Sequence, residues 1–477
     1  MSSILRIERV FMFIGRGTEL EELNRLYSKD SFEMAVIYGR RRVGKTYLIN
    51  EFCKNKLNIF YVAIEQNNKG ALESFSEKVL EILPAASSFI DVFISWEKAF
   101  EYIADQSKNQ RIILAIDEYP YIATGNQSIS SVLQKVIDTK FLTSKLFLIL
   151  CGSSMSFMEN QVLGYKSPLY GRRTAQLKIE PFDYIDSRKF FPQYSMIDQI
   201  LAYGIVGGIP QYLSNLSKEG SLMDGIYYNY FIKDGHLFEE TASILKQELR
   251  EPATYNSIIT AVANGANRLN EIATKTGEES NKCSKYLSTL IDLHIVKKEY
   301  PLGVEVSRNG IYSLCDNMFK FWYKFIPENM TNIEAGMGKI LIDKKVIPQM
   351  PDYMGRIFEE ICIQYMIRRN TTLSLFFMFD KIGRWWGNNS IKKRQEEIDI
   401  LATSGNMAIF GECKWRNELL GVNVLNDLIE KSGVLTQYQD KYYMLFSKSG
   451  FTKELLDKAS TMDNVELVDL IGLFEVE

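Results

Sequence analysis

The sequence predicts an α/β fold that begins with a mostly parallel sheet covered by helices, and three observations carry that expectation. Short apolar runs at 35–38, 59–63, 112–116, 146–150 and 175–179 alternate with helical stretches, the pattern of strands joined by crossover helices. The first run leads into Gly39-Arg40-Arg41-Arg42-Val43-Gly44-Lys45-Thr46-Tyr47, a glycine-bounded loop that opens an amphipathic helix. The third ends in Asp117-Glu118, so acidic side chains arrive at a strand's carboxyl end, where ligands of such sheets sit.

Each element has a chemical reading. The loop from Gly39 to Gly44 can turn its backbone N–H groups toward one point, and the following helix adds its positive end, a cradle for a triphosphate. Lys45 would reach the outer phosphates and Thr46 would hold Mg²⁺, so ATP and Mg²⁺ are the expected ligands. The basic run Arg40, Arg41 and Arg42 would strengthen phosphate binding at the cost of mutual repulsion. Asp117 can join the Mg²⁺ shell, and Glu118 is placed to orient or deprotonate the water that attacks the γ-phosphate.

The fourth run ends in Gly152-Ser153-Ser154, where a hydroxyl could sense the γ-phosphate or simply finish a strand in a Gly-Ser loop. Arg172 follows, either as an arginine that neutralises transition-state charge, in cis or from a neighbouring subunit, or as a surface residue beside Arg173.

Composition bounds the alternatives. A chain of 477 residues predicts about three domains of ~100–200 residues each. Its 56 basic and 59 acidic residues leave a net charge of −3, so any basic surface for nucleic acid must be local. Cysteines 53, 151, 283, 315, 362 and 413 form no CxxC pair and only two histidines occur, which argues against structural zinc and disulfides. Arg6, Glu8 and Arg9 interrupt the apolar start, spoiling a signal-peptide core, and no run approaches a membrane span. The runs 146–151 and 375–379 are short buried strands at most, and a cytoplasmic chain without membrane contact is expected.

Taken in order, these motifs resemble the archaeal-type P-loop ATPases of the AAA+/STAND assemblage. The match starts at Phe13-Ile14-Gly15-Arg16-Gly-Thr-Glu19-Leu20, similar to that family's opening F-x-G-R-x-x-E-L motif, whose residues pack beside the adenine. It continues through the P-loop, Asp117-Glu118, the Gly152–Ser154 turn and Leu169-Tyr-Gly171-Arg172. It closes at Gly207-Gly208-Ile-Pro210, which resembles the G-G-x-P box of a helical lid whose proline region covers the base. The resemblance implies an ATPase core over 1–186 and a lid over 187–245.

Three helical stretches, at 256–264, 268–277 and 281–293, precede two short strands at 296–300 and 310–314, the composition of a winged helix over 246–326. Its third helix would present Asn281, Lys282, Ser284 and Lys285 to DNA, or the module would pack as a regulatory hinge. After a polar connector, 327–350, an apolar-striped helix carries Glu359 and Glu360. Strand alternation then sets Asp399 and Leu401 on one face of one strand, and Phe410, Glu412 and Lys414 on one face of the returning strand.

This part, 351–477, resembles the PD-(D/E)XK nuclease core, with Asp399 and the Glu412-x-Lys414 pair matching its signature and Glu359 its helical acid. The resemblance implies metal ligation by Glu359, Asp399 and Glu412 and charge compensation by Lys414. A nuclease-like fold leaves cleavage open. Lys381, Arg384, Lys392, Lys393, Arg394 and Arg416 with Trp385, Trp386 and Trp415 form either a DNA-facing patch or a solvated loop with aromatic anchors. The expected function is an ATPase that regulates a DNA-binding or metal-dependent nuclease-like domain. The alternative is a nucleotide-switched scaffold with a catalytically silent terminal domain. ATP or ADP, DNA, and a protein partner or second copy are the partners these readings imply.

Overall fold

The computed structural model describes residues 13–303, 310–389 and 392–476. The segment weighed above as a leader therefore falls, up to residue 12, outside the described residues. The chain divides into two compact units, Met1–Pro181 with Ile209–Gln211, and Phe182–Gly208 with Tyr212–Glu477.

The first unit is built on five parallel strands, β1 (Glu33–Tyr38), β2 (Asn58–Val62), β3 (Ile112–Asp117), β4 (Leu146–Gly152) and β5 (Ala175–Lys178), in the order β2-β3-β4-β1-β5. The continuous apolar runs of β1, β3 and β4 are buried throughout, as strands covered on both faces must be. Alternation along each strand sorts its side chains into two cores. Met34, Val36, Leu114, Ile116, Leu148 and Leu150 pack with helices Asn68–Ile82, Trp96–Gln106 and Ile129–Thr139. Ala35, Ile37, Ile113, Ala115, Phe147 and Ile149 pack with Leu23 and Leu26 of helix Gly17–Tyr27, and with Leu48, Ile49 and Phe52 of helix Lys45–Cys53. Pairing in parallel brings the ends of β1, β3 and β4 to one rim of the sheet, which positions the nucleotide motifs together.

The second unit opens with helices that include Tyr184–Arg188 and Met196–Val206. Helices Pro252–Ala263, Leu269–Thr276 and Ser280–Asp292 follow, with β6 (Val296–Glu299) and β7 (Ile311–Leu314) paired antiparallel. The expected connector 327–350 is largely helical and runs directly into the long helix Ile347–Thr371. A second sheet then forms from β8 (Lys381–Asn389), β9 (Arg394–Ser404), β10 (Met407–Lys414), β11 (Asp440–Ser447) and β12 (Val465–Val468), ordered β12-β11-β10-β9-β8. The pairs β8–β9 and β9–β10 are antiparallel, while β10–β11 and β11–β12 are parallel. Helix Val422–Ser432 packs Leu425 and Leu428 over the face bearing Leu401 and Phe410.

Two expectations need correction here. The run 375–379 forms no strand, because it is spent on the crossing from the long helix to β8. Asn370 brackets Phe379 through both its amide atoms, and Phe376 and Phe377 lie against Tyr442. The stretch around Lys381–Trp386, weighed as a loop, is instead the edge strand β8. Among the described residues, no helix is long and apolar enough to cross a membrane.

Candidate functional site

The strand-to-helix turn after β1 wraps the Lys45 ammonium, which donates to the carbonyls of Gly39 at 2.9 Å and Arg40 at 2.8 Å. Burial lowers its pKa, against the opposing pull of nearby groups that include Glu118 and Asp117. Gly39 is required at the turn because a Cβ there would stand 2.3 Å from the Ile179 carbonyl oxygen. Thr46, in the first turn of the helix, donates to Asp117 Oδ2 at 2.5 Å, so the hydroxyl and the carboxylate at the end of β3 converge. Asp117 Oδ1 accepts from the Glu118 N–H at 2.9 Å.

Glu118 has φ 53, a left-handed conformation that costs a non-glycine residue on the order of 1–3 kcal/mol and is kept where the surroundings enforce it. Its carboxylate accepts from Ser153 Oγ at 2.9 Å and from the Ser153 N–H at 3.2 Å. The ends of β3 and β4 thereby place Glu118 and Ser153 side by side.

The other predicted nucleotide residues divide by position. Arg16 donates to the Val43 carbonyl at 3.1 Å and to the Glu180 carbonyl at 2.5 Å, and pairs with Glu19 at 3.2 Å, so it braces the loop. Phe13, beside half-buried Ile14, stacks on Tyr47 with ring centres 5.9 Å apart. Pro210 comes over the far end of the loop, where a Cβ on Gly44 would lie 3.7 Å from its Cγ. Arg41 donates to the Tyr121 hydroxyl at 3.3 Å, and Arg42 has φ 68.

Arg172 is not brought to this rim, which corrects the reading in cis. It precedes β5, whose parallel register with β1 puts its start at the opposite edge from the P-loop. There it makes a bidentate pair with Asp138 at 2.8 and 2.7 Å. The pairing holds the Asp138 carboxyl below its usual range.

In the second sheet, β9–β10 register carries Gly411 opposite Ile400, so the next position sets Glu412 beside Asp399. Asp399 Oδ2 accepts from the Cys413 N–H at 2.9 Å, and burial followed by the Glu412 charge raises its pKa. Lys414 Nζ lies 2.5 Å from Glu412 Oε1 and 3.7 Å from Asp399. Burial opposes its charge, but these two carboxylates hold the Lys414 ammonium above its usual value. Lys431, on helix Val422–Ser432, adds a second ammonium 3.1 Å from Glu412 Oε2. Glu359 faces Arg384 at 3.2 Å and Arg356 at 3.1 Å, and burial with the Asp399 charge pushes its pKa up to about 7.

Among the described residues no three His, Cys, Asp or Glu side chains gather closely enough to hold a metal ion. Of the expected trio, Glu359 and Glu412 are turned to basic side chains and Asp399 to a backbone amide. The proposed DNA-facing patch is corrected in part. Trp385 and Trp415 are buried, the latter against Phe358, and Arg384 is buried between Glu359 and Glu397.

Sequence reading missed Lys431 and Asp138, and named Arg384 without its pairing to Glu359 and Glu397. Helical spacing offered one signal: Lys431 falls three positions after Leu428 and seven after Val424, at the border of the buried stripe.

Residues 13–216 match a family described as an ATPase domain predominantly from Archaea, and residues 322–427 match one described as archaeal and bacterial proteins of unknown function. The chain is 33% identical over 455 residues to the uncharacterized protein MJECL04 of Methanocaldococcus jannaschii, spanning 93% of this chain and 97% of that one. The uncharacterized ATP-binding protein MJ0423 of the same organism is 47% identical over 47 residues, 10% of this chain and 80% of its own length. Among solved structures, the Walker-type ATPase PABY2304 of Pyrococcus abyssi aligns with a TM-score of 0.49 at 19% identity, over 65% of this chain and 96% of that one.

Proposed function

This chain belongs to the family of MJECL04 and is a nucleotide-binding P-loop ATPase of the predominantly archaeal kind, and from that premise we propose that ATP turnover in its first unit governs what its C-terminal sheet does. The observation that carries the reading is the convergence of Thr46 with Asp117 at 2.5 Å, beside a buried Lys45 and a Glu118 at the end of the same strand.

The donor set fits a hard cation, a hydroxyl and a carboxylate being oxygen ligands of the kind Mg²⁺ takes. Thr46 and Asp117 would hold it, and the bound ion would neutralise charge on the outer phosphates. The chain's own groups do the rest. Amides of the 39–46 loop and the Lys45 ammonium bind and orient the triphosphate, and Tyr47 with Phe13 and Pro210 lines the way to the base. Glu118 takes the proton of the attacking water once Ser153 releases its carboxylate. Arg172 is remote from its own P-loop and paired with Asp138, so any arginine-finger role would be to a neighbouring copy.

For the second sheet, the order helix, three antiparallel strands, helix, parallel strand supports a nuclease-like reading, as do Asp399, Glu412 and Lys414 on facing positions. The ion pairing of Glu359, Asp399 and Glu412 favours the second reading, a domain that docks a partner without cleaving. DNA bound at Lys282 and Lys285 fits either.

One assay separates them: the full chain with plasmid, ATP and Mg²⁺ or Mn²⁺, followed for released phosphate and for nicks. Glu118→Gln should lower phosphate release about 10²- to 10⁴-fold while ATP still binds. Nicking that disappears in Asp399→Ala and Lys414→Ala supports cleavage; phosphate release without nicking supports docking. Unchanged phosphate release in Glu118→Gln contradicts the ATPase assignment of that residue.

A further inference from the structure

Helix Ile347–Thr371 carries two sets of contacts on different sides. Tyr353, Met354, Ile357, Gln364 and Arg368 recur at helical spacing, and all but Gln364 and Arg368 are buried. This stripe meets the lid region. Tyr353 Oη donates to the Gly204 carbonyl at 2.8 Å. A Cβ on Gly204 would stand 2.5 Å from Met354 Sδ, so the helices touch where that residue is glycine. Gln364 is a two-way link, donating to the Tyr203 hydroxyl at 2.8 Å and accepting from the Tyr184 N–H at 3.1 Å. Arg368 closes the row on Asp183 at 2.5 Å and Asp186 at 3.4 Å.

Glu359 lies two residues beyond Ile357, roughly 200° around the helix, and faces Arg384 of β8. One element thus contacts residues 183–204 on one side and presents Glu359 to Arg384 of the second sheet on the other. The lid end of the link is stiff. Phe182 N–H donates to the Gly208 carbonyl at 2.8 Å, and a Cβ on Gly208 would fall 1.7 Å from the Phe182 carbonyl oxygen. Two residues after Gly208 the chain reaches Pro210, which lies against the P-loop's Gly44.

We propose that helix Ile347–Thr371 is the coupling rod of this protein: a change of nucleotide at the P-loop, felt at Pro210, moves the Tyr184–Arg188 and Met196–Val206 helices and, through Tyr353, Gln364 and Arg368, shifts Glu359 against Arg384 of the second sheet. The inference rests on the ATP-switch reading above and specifies the path of its regulation. Neither Tyr353 nor Arg368 touches the nucleotide residues or the Asp399–Glu412 pair, so their substitution leaves both ends intact. Interactions of this kind carry coupling factors of roughly 5- to 150-fold between sites.

The test is amide hydrogen exchange over residues 357–366 in the full chain with Mg²⁺ and either ADP or a non-hydrolysable ATP analogue, alongside calorimetry for nucleotide affinity. Exchange in the wild type should differ between the two nucleotides by roughly fivefold or more. In Arg368→Ala, and in Tyr353→Phe, which removes one oxygen and keeps the packing, that difference should shrink to about twofold or less while both nucleotides still bind. Exchanging the charges, Asp183→Arg with Arg368→Asp, should restore it. Equal exchange in a wild type that binds both nucleotides overturns the proposal, as does a full difference surviving in both single variants. A wild type that binds neither nucleotide overturns the ATP reading itself, a distinct result visible in the calorimetry.

Discussion

Glu359 is a largely buried acid whose charge the fold disfavours. Burial and the Asp399 carboxylate raise its pKa from 4.5 to about 7, against the pull of Arg356. The folded chain therefore keeps a proton that the unfolded chain releases. Its contribution to stability is complete below about pH 4.5 and is lost as the pH rises through about 7. Denaturant unfolding of wild type and Glu359→Gln across that window should show a fall present in the wild type and absent from the variant, of up to about 3 kcal/mol. Parallel pH profiles would remove this assignment. At the same scale, legibility followed chain distance. Lys45, Thr46, Asp117 and Glu118 were readable because a loop and two strand ends announce them. Arg172 was left open among cis, trans and surface roles because its partner Asp138 stands 34 residues earlier, and Lys431 was missed because its carboxylate lies on another element.

Among elements, strands were the most legible, since β1, β3 and β4 carry apolar runs at 34–38, 112–116 and 146–151 and the two-sheet-face sorting follows from alternation alone. The edge strand β8 was not, because exposed Lys381 and the flanking Asn388 and Asn389 mask a strand whose inward anchor is Trp385. The long helix starts at Ile347, inside the expected connector 327–350, because Pro351 and the polar helical 342–346 stretch masked its beginning. Helix Ser280–Asp292 carries the DNA question. Lys282 pairs with Glu278 at 2.9 Å yet stays half exposed, as a lysine that exchanges a weak surface pair for a phosphate would. If both Lys282 and Lys285 meet phosphates, Lys282→Glu with Lys285→Glu should reduce the slope of log affinity against log salt by about 1.8 in a DNA-retention series. An unchanged slope would assign this helix to packing within the protein.

For the whole molecule, two compact units carry separate chemistry on one chain: a P-loop rim in the first, and a sheet with paired acids and lysines in the second. Order along the sequence predicted that succession, whereas the state of the second site depended on ion pairs that only the fold brings together. All of it presupposes that a triphosphate rests on the amides that follow β1, steadied by the buried lysine. Calorimetric titration of the full chain with ATP and Mg²⁺, wild type against Lys45→Ala, tests that most directly. The account predicts saturable heat from the wild type and its loss in the variant; no heat from a folded wild type, or equal heat from both, would contradict it.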